Sequence, residues 1–586
     1  MVLDSRHCPG TGKRGRQHRL PIKRKLSHPF QRKRRWERSY ALYHGNIDGQ
    51  DQPPTNSGRG GETLGRFCTH ESGESQAPPS QSPHIQQAEE FRSFFASKYS
   101  WLVEEGREPV PGFHFCGRLP SYYHPKTKVD SQWGVELTRQ HPTLGEKTAG
   151  FGWPQHGSEA ELKSLRLQAA RWLARAEQAK IPSSEDRERV INKTVEAYKI
   201  CRTNGPTATK GNRLSWENFL QDFKGAVFSL EFDAGIGVPY IAYDLPTHRG
   251  WVENPTLLPV LARLTFDRLQ KISEASFEDM TPEELVQNGL CDPIRVFVKG
   301  EPHKEAKLIE GRYRLIMSVS LVDQLVARVL FQNQNKREIV LWRSIPSKPG
   351  FGLSTDGQVL DFMRSLADQV GISPEDVITS WADILVPTDC SGFDWSVAEW
   401  MLHDDMEVRN RLTLDMNPLT ARLRAGWLRC ICNSVLSLSD GSLLAQEVPG
   451  VQKSGSYNTS SSNSRIRVMA AYHVGASWAI AMGDDALESI SSRLSEYKEL
   501  GFKVEVSRQL EFCSHVFKAV DLAVPVNANR MIYKLIFGYN PACGNLEVIR
   551  NYLDACFSVL NELRHDSQSL SDLYEWLVRP VLPQNN

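Results

Sequence analysis

The chain has no long apolar run, no paired cysteine spacing and almost no net charge, and each absence removes a class of protein. No stretch approaches the ~20 consecutive apolar residues that span a bilayer, so membrane contact is expected only peripherally or through partners. The 11 cysteines lack zinc-knuckle spacing, since Cys430 and Cys432 are separated by a single residue. Reduced thiols are therefore expected. The basic N-terminus leads into no apolar segment of the secretory kind, and no internal repeat is visible. Acid is nearly missing from residues 1–40, where 13 Lys/Arg face only Asp4 and Glu37. The formal charge of +1 thus conceals a basic start and an acidic remainder. A body of that kind must gather its positive charge locally in order to handle a polyanion.

At 586 residues, with 40% hydrophobic and 24% charged side chains, the chain can bury a large core. Residues 1–90 differ from the rest. A basic block, Lys23-Arg-Lys25 through Arg32-Lys-Arg-Arg35, precedes a Gly/Ser/Pro/Gln-rich stretch that cannot offset its ordering entropy, and a disordered tail is expected. The block suits RNA contact, localisation or simple solvation equally. Gly10-Thr-Gly12-Lys-Arg-Gly15 has the spacing of a dinucleotide loop, but neither strand nor apolar helix flanks it, and it is set aside. Order is expected from about Glu89-Glu90-Phe91. A helix should begin at an N-cap Ser158 with Glu161 completing a capping box, followed by Leu162, Leu165, Ala169, Leu173 and Ala176 at helical spacing. Helices then alternate with short β-rich runs without βαβ periodicity, which predicts an α+β architecture.

Three segments, in order, carry chemistry. Asp389-Cys-Ser-Gly-Phe-Asp394 follows the apolar stretch 384–388, which puts Asp389 at a strand tip. Ser454-Gly455 opens a small-residue loop, after which Thr459 and Asn463 share one helix face at i and i+4. Gly483-Asp484-Asp485 lies between two apolar runs, with Gly483 permitting a tight turn. Alone, Asp389 is an ordinary strand-end aspartate and Gly-Asp-Asp an ordinary hairpin. Together they offer hard oxygen ligands from two chain segments, as two-ion nucleotidyl transfer requires, and Mg²⁺ suits them, with Mn²⁺ as a substitute. Asp394 and Asn463 can bond a ribose 2′-hydroxyl. Asp404-Asp405, on the following helix, reads as a solvated helix face. Upstream, residues 296–317 interleave Lys299, Lys304, Lys307, Arg312 and Arg314 with a strand-turn-strand pattern fit for a triphosphate.

These residues resemble the RNA-dependent RNA polymerases of positive-strand RNA viruses. The three segments look like motifs A, B and C; the basic segment looks like motif F, with Lys299, Lys307 and Arg314 at matching places and Arg312 added as a nucleotide contact, followed by a helix near Leu321. Gly235-Ile-Gly237-Val-Pro239-Tyr240 resembles the template-side motif G, and Phe512-Cys-Ser-His-Val-Phe517-Lys518 the primer-gripping motif E. Lys453-Ser-Gly-Ser-Tyr-Asn-Thr459 and Gly300-Glu-Pro-His303 look nearest to polerovirus and sobemovirus-like replicases of plants.

The resemblance implies a closed right hand: a tail (1–90), an N-terminal extension and fingers (91–383), a palm (384–530, with a fingers insertion at about 405–450) and a small thumb (531–586). It implies Asp389, Asp484 and Asp485 as catalytic metal ligands. Asp394, Ser454, Gly455, Thr459 and Asn463 would form the ribose pocket. The implied partners are RNA template and product, NTPs, a genome-linked protein primer and other viral replicase proteins. Expression by frameshift fusion and a membrane-associated replication complex in the host cytoplasm are implied as well. Lys498, Lys503 and Arg508 compete for the general acid of motif D. A reverse transcriptase would want a bulky residue where Asp394 and Asn463 stand; a catalytically silent RNA-binding scaffold would not need intact carboxylates.

Overall fold

The computed structural model describes residues 83–582 except Tyr122. The basic block and the expected disordered tail up to residue 82 lie outside the described residues. Helices and short strands mix without βαβ repetition, an α+β arrangement.

A four-stranded antiparallel sheet carries the carboxylate segments, in the order Lys503–Val506, Leu385–Ser391, Asp485–Ser489, Ala479–Met482. Strand side chains alternate between faces, and here both faces are buried. Ala479, Ala481 and Ala486 meet Val468, Met469 and Ala471 of the helix Thr459–His473, the small alanines letting that helix lie close. Leu385, Ile480 and Leu487 meet Phe362, Met363 and Leu366 of the helix Asp356–Val370. A Thr355/Gln358 capping box starts this second helix, and Gly371 in the left-handed conformation ends it. The hairpin Glu511–Phe512/His515–Ala519 completes the layer, with Phe512 and Phe517 at 5.2 and 5.0 Å from Phe362. Each such buried ring contributes roughly 1.5–3 kcal/mol.

A five-stranded sheet runs Phe113–Arg118, Ser442–Gln446, Val435–Ser437, Ile294–Val298, Leu315–Ser318. Its last two strands are the expected strand-turn-strand of the basic segment, paired antiparallel with the short helix Glu305–Glu310 between them. The helix expected near Leu321 runs Leu321–Val340 from an N-cap at Ser320. The C-terminal helices Ala528–Phe537 and Leu546–Glu562 share a core with Gln132–Gln140 and Pro142–Thr148 through Leu137, Leu144, Ile536 and Tyr552. Ser131 ties the same two regions, its N–H and hydroxyl donating to the carbonyls of Phe537 (3.0 Å) and Ile536 (2.9 Å).

Three local expectations are corrected. The helix Ser158–Ala176 is capped at Gly157 without a side-chain bond, and Glu161 accepts instead from the N–H of Ser439 at 2.9 Å and from its hydroxyl. A buried tertiary partner has displaced the local capping box. Of the helical stripe, Leu165 and Ala169 are buried whereas Ala176 is exposed. Ordered structure is already present before Glu89, in a helix Pro83–Ala96 whose Phe91 and Phe95 pack on Trp251 and Tyr240. Among the described residues no helix is long and apolar enough to cross a membrane.

Candidate active site

Gly483 and Asp484 form a two-residue turn between Met482 and Asp485, and Gly483 has φ +61°, as a hairpin with Gly first requires. The neighbouring strand pairs Thr388 with Ala486, so Asp389 and Asp485 lie one position beyond that rung, on the face of Leu385 and Leu487. Asp389 is not at the strand tip: pairing continues through Ser391, and Glu505 stands opposite it on the other side. Three carboxylates from two chain segments therefore converge at one edge of the sheet.

Their electrostatics are those of an uncompensated cluster. Among the described residues, none of Asp389, Asp484 and Asp485 has an ion-pair partner. Burial, then Asp484, pushes Asp389 up to about 6. Burial, then Asp389, Asp484 and Glu511, pushes Asp485 up to about 7. Burial raises Asp484 too. No three His, Cys, Asp or Glu side chains among the described residues are gathered into a ready metal cage. The donor chemistry nevertheless fits a divalent ion: hard oxygens, mutually repelling, in a site where Mg²⁺ would keep waters and substrate phosphates as its other ligands.

The helix Thr459–His473 holds this edge and carries the neighbouring polar residues. Ser464 accepts from the N–H of Gly483 at 2.9 Å, and Arg467 donates to the carbonyl of Asp484 at 3.1 Å. One turn earlier, Asn463 donates to Asp394 at 2.7 Å and accepts from Gln452 at 3.0 Å. Both amide ends of Asn463 are thereby oriented, which leaves one N–H and the second oxygen of Asp394 for a ligand hydroxyl. Burial raises Asp394 to about 6. Ser454 accepts from the N–H of Met317 at 3.1 Å, and Gly455 donates to the carbonyl of Met317 at 2.9 Å. A Cβ at Gly455 would lie 2.2 Å from that carbonyl oxygen, so the loop can dock there only as glycine. Thr459 donates to the carbonyl of Lys453 at 2.6 Å. In this state Ser454 and Thr459 shape the loop, and Asp394 and Asn463 present the open polar groups.

The cationic segment stands beside them. Arg314 is close enough to act electrostatically on both Asp394 and Asp484. Glu301 lies among Lys299 (3.2 Å), Arg314 (3.1 Å) and Arg530 (2.9 Å), which hold it below the carboxylate range despite its burial. Arg312 pairs with Glu310 at 3.1 Å. Burial, then Arg312, Arg314, Arg530 and Lys304, lowers Lys307. A lysine crowded by four cations marks a patch suited to an anion.

Other expected residues separate into working and supporting positions. Tyr240 is buried among Phe95 and Trp251, and Phe517 is buried against Phe362, so both rings brace their loops rather than face a nucleic acid. Lys518 beside Phe517 is exposed. The backbone carbonyl of Ile236, between Gly235 and Gly237, accepts from the N–H of Leu321 at 3.0 Å and fixes the loop to the start of the helix Leu321–Val340, while the Pro239 carbonyl accepts from Ala242 at 3.0 Å. Lys498, Lys503 and Arg508 are all exposed. Asp404 and Asp405 are not solvated, with 3% and 2% exposure. Asp404 pairs with Arg187 at 2.6 Å, and Asp405 with Arg465 at 2.7 Å and Arg409 at 3.3 Å. Sequence reasoning missed Gln452, Ser464, Glu301 and Arg530. Glu301 sits inside a segment already marked and Gln452 one residue before another, whereas Arg530 joins from the C-terminal helices and has no local signal.

The structure thus sets three carboxylates beside the Asp394–Asn463 hydrogen bond and a cationic hairpin. The family described as viral RNA-directed RNA-polymerase matches residues 135–528, and the chain belongs to that family. It is 67% identical over 576 residues to Protein P1-P2 of Turnip yellows virus, covering 98% of this chain and 55% of that protein. It is 63% identical over 560 residues to Protein P1-P2 of Potato leafroll virus, covering 95% and 52%. With Replicase polyprotein P2AB of Southern cowpea mosaic virus it shares 39% identity over 398 residues, covering 65% and 39%. Its likeness is thus to polerovirus and sobemovirus replicases, and the chain spans about half the length of the P1-P2 relatives.

Proposed function

We propose that the chain is the polymerase part of a viral replicase, joining ribonucleotides to an RNA 3′-hydroxyl under the direction of an RNA template. The observation that carries this is the convergence of Asp389, Asp484 and Asp485 beside the Asp394–Asn463 pair, with Arg314 in electrostatic reach of both. Asp389, Asp484 and Asp485 would hold two divalent ions, Mg²⁺ by preference, which when bound lower the pKa of the 3′-hydroxyl and neutralise the departing pyrophosphate. Asp394 and Asn463 accept from and donate to the 2′-hydroxyl, leaving buried polar groups unpaired when a deoxynucleotide enters. Lys299, Lys307, Arg312 and Arg314, joined by Arg530, bind the triphosphate, which takes over cations now held by Glu301.

The shared core of residues 132–148 and the C-terminal helices supports a closed right hand. In that hand residues 384–530 form the palm, the five-stranded sheet belongs to the fingers, and residues 531–586 form a small thumb. Likeness to replicase polyproteins supports positive-strand genome replication, expression as a fusion, a genome-linked protein primer and work within a membrane-associated cytoplasmic complex. The test is extension of a primed RNA template with ribo- or deoxynucleotides and Mg²⁺. Template-dependent ribonucleotide addition is expected. Equal use of deoxynucleotides would favour a reverse transcriptase, and RNA binding without addition a silent scaffold.

A further inference from the structure

A fully buried guanidinium lies directly beneath the carboxylate edge. Arg467, 0% exposed, projects from the helix Thr459–His473 into the junction of the two carboxylate strands. Its Nε donates to the Asp484 carbonyl at 3.1 Å, Nη1 donates to the Tyr497 hydroxyl at 2.8 Å and Nη2 donates to Glu488 at 2.9 Å. Nη2 also donates to the hydroxyl of Thr388, the residue before Asp389. Glu488, likewise 0% exposed, accepts from Thr388 at 2.8 Å and from Tyr497 at 2.9 Å. One planar group therefore binds the turn that carries Asp484 to the strand that carries Asp389. Only an arginine presents donors in such a fork.

Stability alone does not call for this arrangement. Burying an ion pair costs desolvation that its attraction barely repays, and a well-packed apolar pair of similar volume is often as stable or more so. What an apolar pair cannot do is donate to the Asp484 carbonyl and to Thr388 at once. The guanidinium also supplies a positive charge below three carboxylates that otherwise repel one another, acting on Asp389, Asp484 and Asp485 alike.

We infer that Arg467 is a positioning residue for nucleotidyl transfer, fixing the spacing between Asp389 and the Asp484-Asp485 turn through Thr388 and the Asp484 carbonyl, with Glu488 and Tyr497 holding it in place. The inference rests on the polymerase function proposed above. Arg467 touches no substrate. Its loss should therefore lower kcat and leave the KM for the nucleotide unchanged, since the triphosphate and ribose contacts lie elsewhere.

The experiment compares wild type, Arg467→Lys and the double variant Arg467→Met/Glu488→Met in primed-template extension, with thermal melting alongside. Arg467→Lys keeps the charge but not the fork, and should lose about 100-fold in kcat, the scale of an ångström-sized misplacement. The double variant removes both buried charges together, so it should melt near wild type and yet show at least the same loss of kcat. A double variant that melts like wild type and extends primers like wild type would overturn the inference, as would a lysine variant with unchanged kcat. Asp484→Ala serves as the separate control: extension by that variant would remove the polymerase centre itself, and this inference with it.

Discussion

The chain contains two Asp-Asp pairs, and they have opposite fates. Asp404-Asp405 lies on the helix Glu399–Arg411, buried, with every acid facing arginine. Burial would raise Asp405, but Arg465 and Arg409 more than offset it and hold it below the usual range. Asp484-Asp485 lies in a hairpin turn, partly buried, with no ion-pair partner among the described residues, and its acids are pushed upward. The first pair is compensated by the protein. The second has no such partner among the described residues. What separates the two pairs is a direct ion-pair partner, present for the first and lacking for the second, not the dipeptide and not its burial.

The largest expected effect breaks the second pair. Asp485→Asn or Asp389→Ala should reduce Mg²⁺-dependent primer extension to below detection while melting stays at or above wild type. Breaking the first pair should do the reverse. Asp405→Ala leaves buried Arg409 without an acid and Arg465 with Glu338 alone, and should cost about 3–5 kcal/mol of stability, read by urea denaturation. Asn463→Leu, beside the second pair, should leave extension measurable but reduce the preference for ribo- over deoxynucleotides by about 100-fold. The smallest effect is a pH dependence. Asp389 and Asp485 hold protons in the folded chain up to about 6 and about 7, where the unfolded chain has already released them. Without divalent ions, their stabilising contribution is complete in acid and is lost as pH rises toward 7. Asp485→Asn should flatten that slope and stabilise the chain at neutral pH by on the order of 1–3 kcal/mol. A slope unchanged in the variant would remove the electrostatic account.

The contrast between the pairs also shows what can be read from sequence. The Gly483 turn, the helical face of Thr459 and Asn463 and the strand pair around the basic segment follow local rules of turn geometry and periodicity, and the structure realises them. Asp404-Asp405 reads as a solvated face because, apart from Arg409 on the same helix, its compensation comes from Arg187 and Arg465, far along the chain on other helices. Glu161 left its capping box for Ser439 for the same reason. Arg530 reaches Glu301 from the C-terminal helices, and no spacing within either segment announces it. Motif position points Tyr240 and Phe517 toward nucleic acid, yet neighbouring aromatic rings cover them. Local periodicity could name the motifs, but only packing separates the residues that face a ligand from those that support them.

The most direct test of the missing counter-charge is the melting temperature of the chain with and without Mg²⁺, in wild type and in the Asp484→Asn/Asp485→Asn double variant. The wild type should gain stability with Mg²⁺ concentration as the ion pairs directly with the carboxylates, and the variant should show no gain. An equal rise in both, or none in the wild type, would contradict the account.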